Sequence, residues 1–288
     1  MNLCQSLREH WPEYLMEAWG LGMFMVSAGI VVVLLEAPDS PIPELIPDGN
    51  LRRAIVGLFM GLTAIGIIYS PWGKQSGAQI NPAITLTFLR LGKMAAWDAW
   101  FYIVFQFVGG TLGILLVLAC FGDSFAQPPV AYVVTVPGPE GAWLAFAAET
   151  LISMVLMLTV LAFMNAKKLA HYTGLAAGVL VALFITLEAP FSGMSMNPAR
   201  SFASAAPSGI WTAGWIYFTA PFLGMFSAVE LYRLFRFTTQ RMCAKLDHPL
   251  DRRCIHCGHG IKKDNTNSQQ PASNQDAYSR IHYDRTPL

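Results

Sequence analysis

Charged residues are scarce in this sequence, and their scarcity excludes an ordinary soluble domain. Asp, Glu, Lys and Arg make up 13% of the 288 residues, whereas soluble domains carry about 25%. The net charge is only +1, so nothing indicates nucleic acid or a strongly acidic substrate as a partner. Because 54% of the residues are hydrophobic, we expect the chain to lie in a lipid bilayer.

Two further absences concern secretion. The five cysteines are scattered, and three of them fall in a polar C-terminal stretch, which excludes the disulfide framework of a small secreted domain. Residues 1–15 lack the basic start, short apolar core and small-residue cleavage site of a cleavable signal. We therefore expect the first apolar run to remain in the protein as a membrane span.

Six apolar runs approach the roughly 20 residues that a helix needs to cross a bilayer core about 30 Å thick. They are residues 14–35, 54–72, 99–121, 142–164, 172–187 and 209–229, of which the fifth is short. The loop at 122–141 contains no Lys or Arg, whereas basic residues follow the second, fourth and sixth runs. Basic loops stay in the cytoplasm, so both termini are predicted to be cytoplasmic. Arg52 and Arg53 flank an outside loop and oppose this orientation, but they are outnumbered.

Two short segments between these runs share the pattern S-G-x-x-x-N-P-A, the first from Ser76 and the second from Ser192, an offset of 192 − 76 = 116 residues. Asparagine is a favourable N-cap, and proline fits the first helical position. We therefore predict half-helices that begin at Asn81 and Asn197. Each half of the chain holds three spans, so the second half is inverted, and the two half-helices enter from opposite faces and meet near the midplane.

Two half-helix N-termini at one point create a particular electrostatic environment. Each N-terminus carries about half an elementary positive charge, so a cation would meet a barrier where it must lose water. The amide groups of Asn81 and Asn197 can hold and orient an uncharged molecule through its oxygen, which also discourages proton relay. Arg200, about one turn further on, adds a fixed positive charge facing a water-filled cavity.

The paired motifs, the arginine after the second, and a glutamate that opens each half resemble the aquaporin (major intrinsic protein) family, as a bacterial-type, water-channel-like member. The resemblance covers about residues 14–235. It implies an all-α membrane protein, a right-handed bundle of six transmembrane helices plus two re-entrant half-helices in an inverted repeat. It also implies a homotetramer in the bilayer, with one pore per subunit and no cofactor. The residues that it implies for the pore are Asn81, Pro82, Ala83, Asn197, Pro198 and Ala199, with Glu17 and Glu149 as buried acceptors that hold the half-helix loops.

The family also has an outer selectivity ring of four positions. The resemblance places Arg200, Met194 and Ile185 in this ring, with Met60 as the fourth member, or Gly61 if the loop before Asn81 is aligned without a gap. This ring lacks the Phe and His of water-selective members and the aromatic–Gly pairing of glycerol facilitators. Its side chains are flexible and apolar, so the sequence alone does not determine the width of the pore.

Other positions favour water over glycerol. Glycerol-conducting members tend to have Asp directly after the arginine and a basic residue four positions later, but this chain has Ser201 and Ala205. Tyr217 and Phe218 keep aromatic residues in the last span, as water channels usually do. The resemblance therefore implies a passive water channel.

The domain organisation follows from the same pattern. Residues 1–236 form the channel domain, with repeats at about 14–121 and 142–235, and residues 237–288 form a polar cytoplasmic tail that is expected to be partly disordered. Cys254 and Cys257 form C-x-x-C, with Cys243 and His248 nearby. Together they could bind zinc, but reduced cytosolic thiols are the simpler interpretation.

Three alternatives to a water channel follow from the same residues. A facilitator of small neutral solutes such as glycerol or urea is the nearest. A proton-coupled secondary transporter would use Glu17 and Glu149 as its relay. An enzyme has little support, because no span offers a nucleophile beside a base, a Ser/His/Asp set or a metal cluster. The expected location is the cell (inner) membrane, and no nucleic-acid partner is expected.

Overall fold

The computed structural model of this protein describes residues 2–235, 243–248 and 251–260. Within these residues the structure is all-helical, with two short 3-10 turns at 131–133 and 170–172. The α-helices are α1 (Leu3–Glu36), α2 (Ile42–Leu45), α3 (Gly49–Tyr69), α4 (Pro71–Ser76), α5 (Pro82–Arg90), α6 (Ala96–Phe121), α7 (Asp123–Ala126), α8 (Ala142–Asn165), α9 (Thr173–Leu187), α10 (Ala189–Ser192), α11 (Pro198–Ser208) and α12 (Trp215–Leu234). The disorder expected near the C-terminus concerns residues 261–288, which lie outside the described residues.

Six of these helices are the predicted spans. Five segments are long and apolar enough to cross a membrane, namely α1, α3, α6, α8 and residues 170–187, which contain α9. The sixth span is α12, and Glu230 and Arg233 near its end make it more polar. The prediction started this span too early, at 209. Gly209 adopts a left-handed conformation that ends α11, and α12 begins only at Trp215.

The first helix is much longer than its apolar run. It begins at Leu3, where the side chain of Asn2 accepts a hydrogen bond from the Gln5 amide. Hydropathy alone missed residues 3–13, because the face that they bury is polar. His10 lies 2.8 Å from the Asp98 carboxylate, and Tyr14 donates to the same oxygen at 2.6 Å.

The two halves repeat the same packing in inverted order. Helix α1 packs on α6 in the first half, and α8 packs on α12 in the second, while α3 packs on α9 across the halves. A Cβ atom on Gly109 would lie 2.0 Å from the Ala18 carbonyl oxygen, and one on Gly224 would lie 2.2 Å from that of Thr150. Only glycine permits these approaches, so each outer helix pair meets backbone to backbone at an equivalent point.

The bundle has two faces, which take their names from what covers them. The tail face is where α3 ends and α9 begins, since Tyr69 donates to the carbonyl oxygen of His171 at 2.5 Å. The opposite face is the loop face, which carries the connecting loop, residues 122–141. The first re-entrant segment, residues 76–90, enters from the tail face, and the second re-entrant segment, residues 192–208, enters from the loop face.

Candidate functional site

The two re-entrant segments meet at their asparagines. The Asn81 amide donates to the carbonyl oxygen of Met196 at 2.7 Å, and the Asn197 amide donates to that of Ile80, also at 2.7 Å. Each side-chain oxygen caps its own half-helix, since it accepts the amide of Ala83 at 2.9 Å or of Ala199 at 3.0 Å. Both half-helix N-termini therefore lie at one place and are joined by a reciprocal pair of hydrogen bonds.

The Asn-Pro pair determines where each half-helix begins. Both asparagines have extended backbone angles, and Pro82 and Pro198 occupy the first helical positions. A proline there loses no hydrogen bond, because the amide at that position has no partner inside a helix. The sequence motif is thus a pair of capped helix ends whose remaining side-chain N–H groups point toward the other segment.

A buried carboxylate holds the first re-entrant segment. Glu17 accepts the Ser76 hydroxyl at 2.8 Å, the Gln79 amide at 3.0 Å and the Ile80 amide at 2.6 Å. The Gln106 side chain supplies a fourth donor at 2.8 Å. A carboxylate that accepts several backbone donors fixes the loop that leads into the half-helix.

The second re-entrant segment repeats this arrangement with three donors. Glu149 accepts the Ser192 hydroxyl at 2.9 Å, the Ser195 amide at 2.6 Å and the Met196 amide at 2.8 Å. Ser192, Ser195 and Met196 stand 116 residues after Ser76, Gln79 and Ile80. The hydrogen bonds therefore follow the sequence repeat position by position.

The carboxylates also hold strained backbone. Ala78 and Ile80 have positive φ angles of 50° and 40°, and Met194 and Met196 have φ angles of 50° and 53°. Non-glycine residues in this region cost about 1–3 kcal/mol each and persist only where neighbouring contacts enforce them. The bonds from Ile80 to Glu17 and from Met196 to Glu149 are such contacts.

A cavity of about 610 Å³ runs past the asparagines. It extends from Arg52 and Glu36 at the loop face, past Asn81 and Asn197, to Ile68 near the tail face. Most of its wall is aliphatic, and the asparagines and the carbonyl-bearing loops provide polar groups along it. Neither Glu17 nor Glu149 lines this cavity, because each is enclosed by its own donors.

Four of the expected ring residues line the cavity. They are Met60, Ile185, Met194 and Arg200. Gly61, the other candidate, faces away from it, because a Cβ atom there would lie 2.6 Å from the Gly178 carbonyl oxygen on α9.

The register of α3 against α9 brings a different residue level with Ile185. A Cβ atom on Gly57 would contact Ala182 and Thr186 of α9, so this part of α3 lies opposite Ile185. Val56 is adjacent to Gly57 and lines the cavity. Met60 lies one helical turn nearer the asparagines. Sequence spacing named Met60 and not Val56, and both residues line the cavity, one helical turn apart on α3.

The connecting loop positions Arg200. A guanidinium nitrogen of Arg200 donates to the carbonyl oxygen of Val133 at 2.8 Å. The hydroxyl of Thr135 lies 2.8 Å from that of Ser201, which lies 2.6 Å from that of Ser195. These contacts hold the arginine at the cavity wall with donors to spare. Sequence patterns did not reveal this role of the connecting loop, because the loop has no motif.

The tail does not hang free of the bundle. Its described residues, 243–248 and 251–260, are called the tail module here. The sulfur atoms of Cys243, Cys254 and Cys257 and a ring nitrogen of His248 all lie within 4.8 Å of one another. Hydrogen bonds with Cys243 and Cys257 lower the pKa of Cys254, and bonds with Cys254 and Cys257 raise the pKa of His248 to about 10. The tail module thus contains a Cys/His cluster that could hold a metal ion.

Comparison with known proteins agrees with this geometry. Residues 6–232 match the family model described as Major intrinsic protein. The probable aquaporin NIP4-2 of Arabidopsis thaliana is 33% identical over 216 residues, which cover 75% of this chain and 71% of the relative. Aquaporin NIP2-3 of Zea mays is 30% identical over 230 residues, covering 79% and 74%.

The fold likewise matches a solved structure. The aquaglyceroporin of Plasmodium falciparum superposes with a TM-score of 0.63 at 20% identity, covering 77% of this chain and 94% of that one. Members of the matched family are membrane channels rather than enzymes and pass water or small solutes. This chain is therefore a multi-pass integral membrane protein that belongs to the major intrinsic protein family, the aquaporins.

Proposed function

We propose that the pore conducts water and excludes ions and protons at two successive places. The observation that carries the proposal is the reciprocal bonding of Asn81 and Asn197, which sets two positive helix ends against the cavity. A water molecule at this point accepts from fixed donors, and the same field opposes a cation. Arg200, held by Val133, is the second barrier, nearer the loop face.

The proposed outer ring consists of Arg200, Met194, Ile185 and Met60, with Val56 one turn nearer the loop face on the same wall. Val56 shares a level with Ile185 along the α3–α9 contact. Apart from the arginine this ring is aliphatic. It therefore offers a solute few hydrogen-bond partners and selects mainly by size.

A facilitator of small neutral solutes is the second candidate function. Two observations favour it: the ring lacks the Phe and His of water-selective members, and the structural neighbour is an aquaglyceroporin. A proton-coupled transporter has less support, because Glu17 and Glu149 are occupied by donors of the re-entrant segments and stand outside the cavity wall.

The orientation and assembly are proposals of the same kind. Basic residues follow the second, fourth and sixth spans, so we place the tail face and both termini on the cytoplasmic side. The membrane that we propose is the cell (inner) membrane. Arg52, which had opposed this orientation, pairs with Glu36 at 3.0 Å, and Arg53 donates to the Thr186 carbonyl oxygen. These arginines serve the structure of the loop face. From the family resemblance we also propose that the protein assembles as a homotetramer with one pore per subunit.

Zinc is the ion that best fits the Cys/His cluster of the tail module. Three thiols and one imidazole are a common ligand set for structural zinc, with Zn–S bonds of about 2.3 Å and ligand atoms therefore about 3.8 Å apart. The sulfur atoms of Cys243 and Cys254 are 3.4 Å apart, and His248 lies 3.2 Å from the sulfur of Cys257. A small adjustment would bring the four atoms to tetrahedral positions.

Osmotic light scattering of reconstituted vesicles tests the conducted species. A water channel predicts fast shrinkage with a low activation energy and no response to an imposed pH gradient. Re-swelling in glycerol or urea would move the assignment to a solute facilitator. Permeability that follows the pH gradient would establish the transporter instead. The zinc content of purified protein is measured separately, and a value near zero rejects the zinc assignment.

A further inference from the structure

The cavity ends at the tail face against the tail module. Leu246 lines the cavity, as do Ile68 and Ala177 near that face. The Leu246 side chain is only 4% exposed, although it belongs to a polar tail. An apolar side chain across a narrow pore offers water no hydrogen-bond partner, and such constrictions close pores by excluding water.

Backbone hydrogen bonds hold Leu246 at this position. Its amide donates to the carbonyl oxygen of Gly77 at 3.1 Å, and the carbonyl oxygen of Ala244 accepts from the Gln79 side chain at 2.8 Å. Gly77 and Gln79 belong to the first re-entrant segment, which carries Asn81. The tail module therefore contacts the same loop that forms the centre of the pore.

Two ion pairs fix the module against the tail face. Arg253 donates to both oxygens of Glu13 at 3.0 Å, and the Glu13 side chain is fully buried. Lys74 lies 3.6 Å from Asp247. Removal of the arginine would leave a buried carboxylate without its cation, so the module is a built part of the tail face.

Two of the four metal ligands flank, along the chain, the residues that lie at the pore mouth. Cys243 and His248 flank residues 244–246, and Cys254 and Cys257 come from a second turn, in which the Gly258 amide donates to the Cys254 carbonyl oxygen at 3.0 Å. The stretch 243–248 contains no helix or strand. A bound ion would join both ends of this stretch to the second turn and thereby restrict its motion.

We propose that zinc bound by Cys243, His248, Cys254 and Cys257 holds Leu246 in the tail-face mouth of the pore, so that metal occupancy controls permeability. This proposal rests on the proposed channel function and zinc assignment. With zinc bound, the loop is fixed and Leu246 closes the mouth. Loss of zinc frees residues 243–248, the bonds to Gly77 and Gln79 break more often, and the pore opens.

The test uses full-length protein in vesicles, either loaded with zinc or treated with a membrane-permeant zinc chelator. Chelation is expected to raise water permeability about fivefold or more, the lower limit of ordinary allosteric coupling. Restored zinc should reverse the rise. Equal permeability in the two states, with zinc bound in one of them, overturns the gate.

Variants distinguish the closing of the pore by Leu246 from the binding of zinc. Leu246→Gly should bind zinc normally but show the permeability of the chelated protein in both states. The double variant Cys254→Ser/Cys257→Ser should lose zinc and be permeable throughout. Cys4→Ser/Cys120→Ser is the matched control, because these two exposed cysteines lie outside the cluster, and it should respond to zinc as the unmodified protein does. A zinc response that survives in Leu246→Gly overturns the assignment of Leu246 as the residue that closes the pore.

Hydrogen exchange supplies a readout that is independent of transport. The peptide that covers residues 243–247 should exchange slowly with zinc and faster after chelation, because the Leu246 amide loses its bond to the Gly77 carbonyl oxygen. Unchanged exchange would reject the metal-held loop. If folded protein conducts neither water nor solute in any form, the channel proposal fails first. If it conducts but binds no zinc, only the zinc assignment and its gate fail.

Discussion

The first re-entrant segment lies beneath the tail module, whereas the second lies beneath the connecting loop. A Cβ atom on Gly77 would be 2.8 Å from the Ala244 carbonyl oxygen, and one on Gly193 would be 3.0 Å from the Val136 amide nitrogen. The bonds inside each segment are duplicated, but the chain segments that cover them are unrelated. Duplication thus explains the centre of the pore, and each mouth has features of its own.

Arg200 marks the largest difference between the segments. Its counterpart 116 residues earlier is Ile84, which also lines the cavity. The charge is therefore present in only one half of the pore. At an effective dielectric constant of 20, a unit charge opposes a cation about 4 Å away by about 4 kcal/mol.

We expect Arg200→Val to remove this asymmetry and to give the largest effect. Leak of protons or larger solutes should rise by at least about tenfold relative to water, since a full charge is lost from the barrier. Stopped-flow scattering together with a pH-sensitive dye inside the vesicles measures this ratio. Arg200→Lys is the control that keeps the charge. A selectivity profile unchanged in Arg200→Val would remove this residue from the filter.

The two carboxylates provide the next comparison. The variant Glu149→Gln would point its new side-chain amide at a backbone donor of Ser195 or Met196, and we expect a loss of about 3 kcal/mol in the free energy of unfolding. Glu17→Gln should cost less, about 1–2 kcal/mol, because Gln106 can turn. The Oε1 atom of Gln106 has no hydrogen-bond partner among the described residues and could accept the new amide.

Thermal unfolding of purified protein in detergent, followed by circular dichroism, measures both variants. The double variant Glu17→Gln/Gln106→Ala removes the acceptor that Gln106 offers to the new amide. Its stability should therefore fall to that of Glu149→Gln. Equal losses in the two single variants would show that Gln106 does not compensate.

Substitutions at Gly77 and Gly193 should show that the two faces have different functions. Gly77→Ala and Gly193→Ala each place a side chain at positive φ, which costs about 1–3 kcal/mol, and each pushes on a different neighbour. Gly77→Ala should loosen residues 243–247 in hydrogen exchange and raise permeability. Gly193→Ala should instead disturb the connecting loop and relax selectivity. The same phenotype in both variants would contradict separate roles for the two faces.

The smallest effects are expected at the paired hydroxyls. Ser201 lies in a chain of hydroxyls with Thr135 and Ser195, and its counterpart Thr85 accepts from Gln106 at 3.2 Å. Ser201→Ala and Thr85→Ala should each lower the free energy of unfolding by about 1 kcal/mol. Thermal unfolding checks both, with Ser204→Ala as the control, because the buried Ser204 hydroxyl has no hydrogen-bond partner among the described residues. A loss well above about 2 kcal/mol at either position would show that its hydroxyl network is strongly coupled.

The repeat made the bundle and its centre predictable from the sequence. The motifs at Asn81 and Asn197 specify capped helix starts, and the odd number of spans in each half requires inversion. The all-α fold with two re-entrant half-helices is confirmed. Local chemistry and span counting were sufficient here, because both the caps and the long apolar helices are determined by short stretches of sequence.

Features that depend on distant segments were not predictable in this way. The N-terminal half of α1 buries polar residues against Asp98, so hydropathy did not reveal it. The packing of α3 on α9 brings Val56 level with Ile185, and this register depends on contacts between distant helices. The tail was expected to be a polar appendage, but its contact with Gly77 depends on a three-dimensional surface that no spacing rule describes.

The donors to each buried carboxylate have a consequence for biogenesis. The donors to Glu17 all lie before residue 122, and the donors to Glu149 all lie between residues 192 and 196. The ribosome therefore delivers the complete set for the first loop before it makes any of the second half. Each half can mature as a separate unit in the bilayer, and the bonds from Asn81 and Asn197 then join two preformed pieces as a late step of assembly.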